Sequence, residues 1–506
     1  MSRSAALCAG VLTTILCAAP AVETSSGREA AVRELRANLS KVFNAPIMAR
    51  GVWAVDVRSL DTGERLFELN SGKLMMPASN MKVVTLATAA ETLGWDYRFT
   101  TTLETSAPIE NGALMGDLVI RGTGDPTLNT RQGRGAAVLA EWAGILRAAG
   151  IQEIRGRIIG DDQAFDDEGL GDGWSWDYLQ FGYAAPVGAL QFNEDVAPLT
   201  IAPGPRAGDP AVVSIAPGSG LEVVNRAVTA GEDTSETIDF RRQLFRPTLE
   251  ISGSIPSGST PVTRNVTVVN PTIYFAQSVK DAFVAAGIRV SGEAADLDEI
   301  AVQDGPAPSE RSESKGESKE RRVLGSTSSP PLREIAIVLM KVSQNLYAET
   351  FVKALGASAG EVGTTAAGRR LMRKTLTAWG IPEDAYVISD GSGLSRSNYV
   401  SAEMITAILA RMYRDPRHRD EFAATLPIAG KDGTIASRMR RTLAEGNATA
   451  KTGSIANVRS LSGYVRTKDG ETLVFSIIAN DFVIPAATVN WIADLAVEIL
   501  ATFTRR

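Results

Sequence analysis

Residues 51–94 read GVWAVDVRSLDTGERLFELNSGKLMMPASNMKVVTLATAAETLG, and this stretch decides the fold class. Trp53, Val55 and Val57 share one face of an alternating run, with Ala54, Asp56 and Arg58 on the other. A turn follows at Asp61-Thr62-Gly63, and then Phe67 and Leu69 alternate with Glu68 and Asn70. Period-two alternation on both sides of a glycine-containing turn predicts a β-hairpin. Past Pro77, the residues from Ser79 to Leu93 contain neither Gly nor Pro and suit a helix that Gly94 ends. A hairpin feeding a helix is the first unit.

The far end of the chain has the same character. Arg459 to Val465 and Thr472 to Ala479 read as strands paired around Lys468-Asp469-Gly470, and Val489, Ile492, Ala496, Ile499 and Phe503 step by three and four as one helical face. The opposite face of that helix has Asn490, Asp494 and Glu498 and no basic residue before Arg505, which favours core packing over a membrane surface. Leu332, Ile335 and Leu339 mark another helix, and a further one begins near Ser343. Between residues 100 and 300 the pattern changes to short strand-like runs, Leu118 to Ile120, Ile154 to Ile159, Val212 to Ile215 and Val266 to Val269, divided by Gly and Pro. Two α/β ends around a largely β middle imply one α/β domain interrupted by a long insertion. Ser309 to Arg322 lacks any large apolar side chain and reads as a mobile loop or linker.

Composition bounds the function. A chain of 506 residues exceeds one ordinary core and suggests roughly three domains. Hydrophobic content of 44% and charged content of 22% are those of a soluble globular protein, and a net charge of −6 argues against a nucleic-acid partner. The body of the chain has no run long and apolar enough to serve as a transmembrane anchor. Arg3, the apolar stretch Ala5 to Leu16 and the small residues Ala19-Pro20-Ala21 form a signal-peptide pattern over residues 1–21, which predicts export to the periplasm. Cys8 and Cys17, the only cysteines, lie in that segment. A lipid anchor at Cys17 is disfavoured by the bulky Leu16 before it.

With no cysteine in the mature chain and a single histidine, His418, the usual nucleophile–base pairs are nearly excluded. His418 sits in Arg414-Asp415-Pro416-Arg417-His418-Arg419-Asp420, where a solvated surface position is expected. No zinc motif and no thiolate site can be assembled, so neither a metal nor another cofactor is expected. Lysine can replace imidazole as a base if its surroundings lower its pKa. Ser79-Asn80-Met81-Lys82 places a serine at a helix start and a lysine one turn later on the same face. Ser312 and Lys315 have the same spacing, but within the polar run, where nothing would hold their geometry. Ser343-Gln344-Asn345 falls at a helix–helix turn, where Ser343 could simply be an N-cap, and Lys451-Thr452-Gly453 with Ser454 could be an ordinary exposed strand. Together, and in this order, Ser-x-x-Lys, Ser-x-Asn and Lys-Thr-Gly form the signature of penicillin-binding proteins and class A β-lactamases.

The sequence resembles the class C low-molecular-mass penicillin-binding proteins, the D-alanyl-D-alanine carboxypeptidase/endopeptidases of peptidase family S13. Besides the three motifs, the likeness is carried by Gly116 to Ile120, Gly122 to Leu128, Trp176-Asp177 with Tyr183 to Val187, Asn345 to Glu349, Asp390 to Arg396 and Ala429 to Thr434. The 264 positions between Ser79 and Ser343 also fit this family, because class A β-lactamases place those motifs much closer. The resemblance implies an α/β (α+β) transpeptidase-like domain, an antiparallel sheet covered by helices, over 28–102 and 325–506. It also implies a β-rich insertion over 103–129 and 190–302 with a second module nested at 130–189; the polar loop is 303–324. It implies Ser79 as nucleophile, Lys82 as its base, Ser343 as proton relay and Asn345 as the group that orients Lys82. Lys451 and Thr452 would receive the substrate's terminal carboxylate, Gly453 would let the substrate lie along the strand, and the N–H groups of Ser79 and Ser454 would form the oxyanion hole. Expected partners are peptidoglycan stem peptides, with β-lactams as acylating inhibitors. A β-lactamase and a catalytically idle peptidoglycan-binding protein are the competing readings; rapid turnover of a penicilloyl-enzyme would mark the first, absence of covalent labelling the second.

Overall fold

The computed structural model describes residues 25–505 except 132 and 304–319. The expected signal peptide, both cysteines, Ser312, Lys315 and most of the polar run therefore lie outside the described residues. Its first sheet joins the two ends of the chain. Five antiparallel strands run in the order Arg65–Leu69, Val52–Ser59, Thr472–Asn480, Val458–Arg466, Thr449–Ile455. The hairpin alternation holds, but both of its faces are covered. Trp53, Val55 and Val57 pack with Leu35 and Leu39 of the Ser25–Phe43 helix and with Val489, Ile492 and Leu500 of the closing Ala486–Thr502 helix. Ala54 faces the other way, into a core built from Val83, Leu86, Leu339, Phe351 and Ile405. On that face the buried Asp56 accepts from Arg58 at 2.7 Å and from Thr406 through one oxygen, and its other oxygen is ion-paired with Arg65 at 3.0 Å. The closing helix is thus a core element, as its polar face implied, and no helix among the described residues is long and apolar enough to cross a membrane.

The insertion is less purely β than expected. Two 15-residue helices, Arg134–Ala148 and Pro271–Ala285, pack Trp142, Leu146, Phe275, Val279 and Phe283 against a five-stranded sheet. The second has a readable start: Asn270 caps Ile273 N–H at 3.0 Å, with Pro271 in the first turn. The sheet order is Ala294–Asp296, Ile158–Asp161, Leu118–Gly122, Thr100–Thr105, Arg322–Ser328. This pairing corrects the expected boundaries. Residues 130–189 do not form a module of their own, because Ile158–Asp161 pairs with Leu118–Gly122. The stretch with sheets of its own runs from Val196 to Thr267, and its core, centred on Leu199, Ile201, Leu249, Ile251 and Val266, is completed by Tyr274 of the Pro271–Ala285 helix. Residues 322–324, assigned to the polar loop, are strand, and Arg321 is held by Asp161 at 2.7 Å.

Candidate active site

Ser79 lies in a single 3-10 turn, Ala78–Asn80, that runs straight into the Met81–Leu93 helix. The turn is tight: Ala78 is fully buried at φ +46°, a left-handed conformation unusual for a residue with a Cβ. Gly393 packs against it so closely that a Cβ there would lie 1.8 Å from the Ala78 carbonyl oxygen. One helical turn on, Lys82 is completely buried, and its Nζ has three partners: Ser79 Oγ at 3.1 Å, Asn345 Oδ1 at 2.6 Å and the Ser392 carbonyl at 2.8 Å. Asn345 is held in that orientation because its Nδ2 donates to the Tyr183 carbonyl at 2.7 Å.

Ser343 occupies the turn before the Asn345–Ser358 helix at φ +63°. It is not the N-cap; Gln344 is, accepting from Leu346 N–H. The Ser343 hydroxyl is instead free to face Lys451, whose Nζ donates to Ser343 Oγ and to the Thr452 carbonyl, both at 2.8 Å. Lys451 and Thr452 sit on the edge strand Thr449–Ile455, and Thr452 Oγ1 bonds Thr434 Oγ1 at 2.7 Å. Gly453 has a steric reason for being glycine. A Cβ there would meet Ser460 Oγ at 2.2 Å, Pro77 O at 2.6 Å and Ser79 N at 2.9 Å. Its missing side chain lets the strand lie against the nucleophile turn, where Ser460 bonds the Pro77 carbonyl at 2.7 Å and also the Asn80 amide.

All eight motif residues thus converge, in two layers. Ser79, Ser343, Asn345, Thr452 and Ser454 line a cleft of about 440 Å³ together with Tyr178, Tyr183 and Thr434. Lys82, Lys451 and Gly453 stand behind its wall. Burial pulls the Lys82 ammonium pKa down from 10.5 to about 7, against the opposing pull of Asp390 and Glu349. Burial, and then the neighbouring Lys82, push Lys451 well below its ordinary value. Burial and the adjacent Asp390 raise Glu349 to about 7. Lys451 thus meets the cleft wall through its hydrogen bond to Ser343.

Three contributors escape the sequence reading. The carbonyls of Ser392 and Tyr183 carry no side-chain signature. Glu349 does leave one, a carboxylate midway between Asn345 and Lys353 at four-residue spacing on one helix face. His418 is not solvated as expected: it is buried, accepting from Trp95 Nε1 at 3.1 Å and facing Glu91 at 3.3 Å, at the far end of the Met81–Leu93 helix. Twelve helical residues put Glu91 about 18 Å from Ser79, so imidazole has no part in the cleft. Among the described residues two groups have metal-ligand proximity, Glu91/Asp415/His418 and Asp162/Asp296/Asp298, and neither lines the cleft. The first is already paired with Arg411 and Arg417.

Comparison with known proteins agrees with this geometry. The sequence model of the D-Ala-D-Ala carboxypeptidase 3 (S13) family matches residues 35–502. A D-alanyl-D-alanine carboxypeptidase of Actinomadura sp. is 34% identical over 486 residues, covering 94% of this chain and 85% of that one. The D-alanyl-D-alanine carboxypeptidase DacB of Haemophilus influenzae is 25% identical over 437 residues, 84% of each chain. The crystal structure of penicillin binding protein 4 from H. influenzae superimposes with a TM-score of 0.76 at 23% identity, covering 92% of this chain and 99% of that one, so the fold is shared throughout. The chain belongs to the D-Ala-D-Ala carboxypeptidase (S13) family.

Proposed function

We propose that this protein is an exported, periplasmic serine-type D-Ala-D-Ala carboxypeptidase that also acts as a DD-endopeptidase on peptidoglycan stem peptides and cross-links, and that β-lactams acylate the same serine. The observation that carries this reading is the coordination of Lys82. A neutral amine has two N–H groups and one lone pair. Asn345 Oδ1 and the Ser392 carbonyl can only accept, so they take the two N–H groups. The lone pair is left facing Ser79 Oγ at 3.1 Å. With its pKa near 7, Lys82 has a substantial neutral fraction at neutral pH.

Ser79 Oγ attacks the carbonyl carbon of the scissile peptide as its proton passes to Lys82. The oxyanion meets the N–H groups of Ser79 and Ser454, each worth about 3 kcal/mol. As the C–N bond breaks, Ser343 gives its proton to the departing amine and takes one from the Lys451 ammonium, so the proton lost by Lys451 balances the one gained by Lys82. The proton passes back from Lys82 to Lys451 through solvent, water attacks the Ser79 ester with its proton taken by Lys82, and Lys82 returns that proton to Ser79 Oγ as the acyl group leaves. Thr452 and Thr434 present hydroxyls where the terminal carboxylate of D-alanine would dock, with the Lys451 amine behind them. The H. influenzae protein with the same fold has been crystallised in complex with a β-lactam, at 22% identity and a TM-score of 0.70, which supports the inhibitor part of the reading.

The test is covalent. Incubation with benzylpenicillin followed by intact mass and peptide mapping should place one long-lived adduct on Ser79, and Ser79→Ala should remove both it and D-alanine release from a pentapeptide. Release of D-alanine by Ser79→Ala would overturn the proposal. An adduct that turned over within seconds would favour a β-lactamase.

A further inference from the structure

The Asn345–Ser358 helix carries a buried polar stripe at residues 345, 349 and 353, each bonded to a different loop of the site. Asn345 holds Lys82 and the Tyr183 carbonyl. Lys353 reaches Asp166 Oδ1 at 2.6 Å and the Asp166 carbonyl at 3.0 Å, which fastens the loop leading to Tyr178 and Tyr183. Glu349 touches neither the cleft nor Lys82. Its two oxygens accept the backbone N–H of Gly391 at 2.9 Å and of Ser392 at 2.7 Å.

We propose that Glu349 is a positioning residue for the Ser79–Lys82 pair: it pins the Gly391–Ser392 backbone so that the Ser392 carbonyl takes one N–H of Lys82 and leaves the amine's lone pair aimed at Ser79 Oγ. This rests on the reading of Lys82 as the base. Without a fixed Ser392 carbonyl the neutral amine has one obligatory acceptor instead of two, and it can rotate about Cε–Nζ to present N–H to the serine. The pinning is specific to this carboxylate. The same loop is held independently by the buried Asp390, which accepts from Gly393 N–H, Ser395 N–H, Asn398 Nδ2 and Trp174 Nε1. Asp390 thus secures the far half of the loop, residues 393–398, and Glu349 the half that faces Lys82. Glu349 on the helix and Asp390 on the loop both raise the pKa of Lys82, while Lys451 on the edge strand is coupled to it by like-charge repulsion.

Glu349→Gln preserves length and removes the charge, and it points an N–H₂ at one of the two amide donors. In the full chain, acylation by benzylpenicillin should slow on the order of 10- to 100-fold at its pH plateau, the range for disturbing a group that orients a catalytic one. The acidic limb of the rate profile should move to lower pH, because the ionised fraction of Glu349, which titrates in the same range as Lys82, no longer favours the protonated amine. Rates are referred to active protein titrated with a fluorescent penicillin. A folded Glu349→Gln protein that reacts at the wild-type rate with an unmoved limb overturns the proposal. So does a variant that only melts earlier, with its active fraction unaltered. Glu349→Asp keeps the charge but is one methylene too short to reach both amides. It should be slow with the limb in place, and it decides the question if Glu349→Gln does not fold. Failure of the wild-type protein to label at Ser79 would instead remove the functional reading itself.

Discussion

Gly453→Ala is a one-carbon perturbation of the site. The added Cβ would sit 2.6 Å from the Pro77 carbonyl oxygen and 2.9 Å from Ser79 N, where ordinary contact begins at 3.4 Å. Relief requires the strand and the nucleophile turn to part by about 0.8 Å, measured against Pro77. The third neighbour, Ser460 Oγ at 2.2 Å, cannot swing aside freely, because it bonds both the Pro77 carbonyl and Asn80. Displacement of that size between nucleophile and oxyanion donors costs about 100-fold in rate, or about 2.7 kcal/mol. Overpacking should also lower stability by about 1–3 kcal/mol. Gly144 is the control: it lies in the middle of the Arg134–Ala148 helix, and a Cβ there would have nothing within 4 Å. Gly144→Ala should leave acylation unchanged and raise stability by about 0.5–1 kcal/mol. Second-order acylation by penicillin and thermal melting, measured on both variants, decide the matter. Gly453→Ala acylated at the wild-type rate would refute the close-approach explanation of that glycine.

The acylation rate should fall about tenfold per pH unit below an acidic limb near 7, because protonated Lys82 has no lone pair for Ser79; a limb near 10 would contradict the buried base. The same lowered pKa means that the unfolded chain holds more protons than the folded one between about 7 and 10.5, so this group makes stability rise with pH across that window. Lys82→Met should flatten that rise in denaturant titrations. His418→Ala should leave acylation intact while the orphaned Trp95 N–H costs about 1–3 kcal/mol of stability; lost activity in the folded variant would bring imidazole back into the mechanism.

Much of this molecule is legible in its residues alone. The hairpin, the serine helix and the closing helix declare themselves because each pairs a clear period with a stop signal. The order of three short motifs is enough to gather Ser79, Lys82, Ser343, Asn345 and Lys451. What stays hidden has physical causes. The helix Arg134–Ala148 buries Val138, Leu139, Trp142 and Leu146 at helical spacing, yet it is flanked by glycine-rich turns that suit strands equally well. The nesting of the insertion depends on which distant strands pair, and Ile158–Asp161 gives no local sign that its partner is Leu118–Gly122. Within the site, the Ser392 and Tyr183 carbonyls are main-chain atoms that any residue type could supply. His418 misleads because its arginine and aspartate neighbours point outward while its own ring turns in towards Trp95.

The strand Val52–Ser59 finds one neighbour a few residues away and the other, Thr472–Asn480, more than four hundred residues later. Synthesis runs from the amino terminus, so the attacking hydroxyl at Ser79 is made hundreds of residues before its wall on the edge strand Thr449–Ile455. No partial product can carry a finished catalytic groove. High contact order of this kind makes maturation slow, and the hydrolytic apparatus is assembled only once the edge strand has been made.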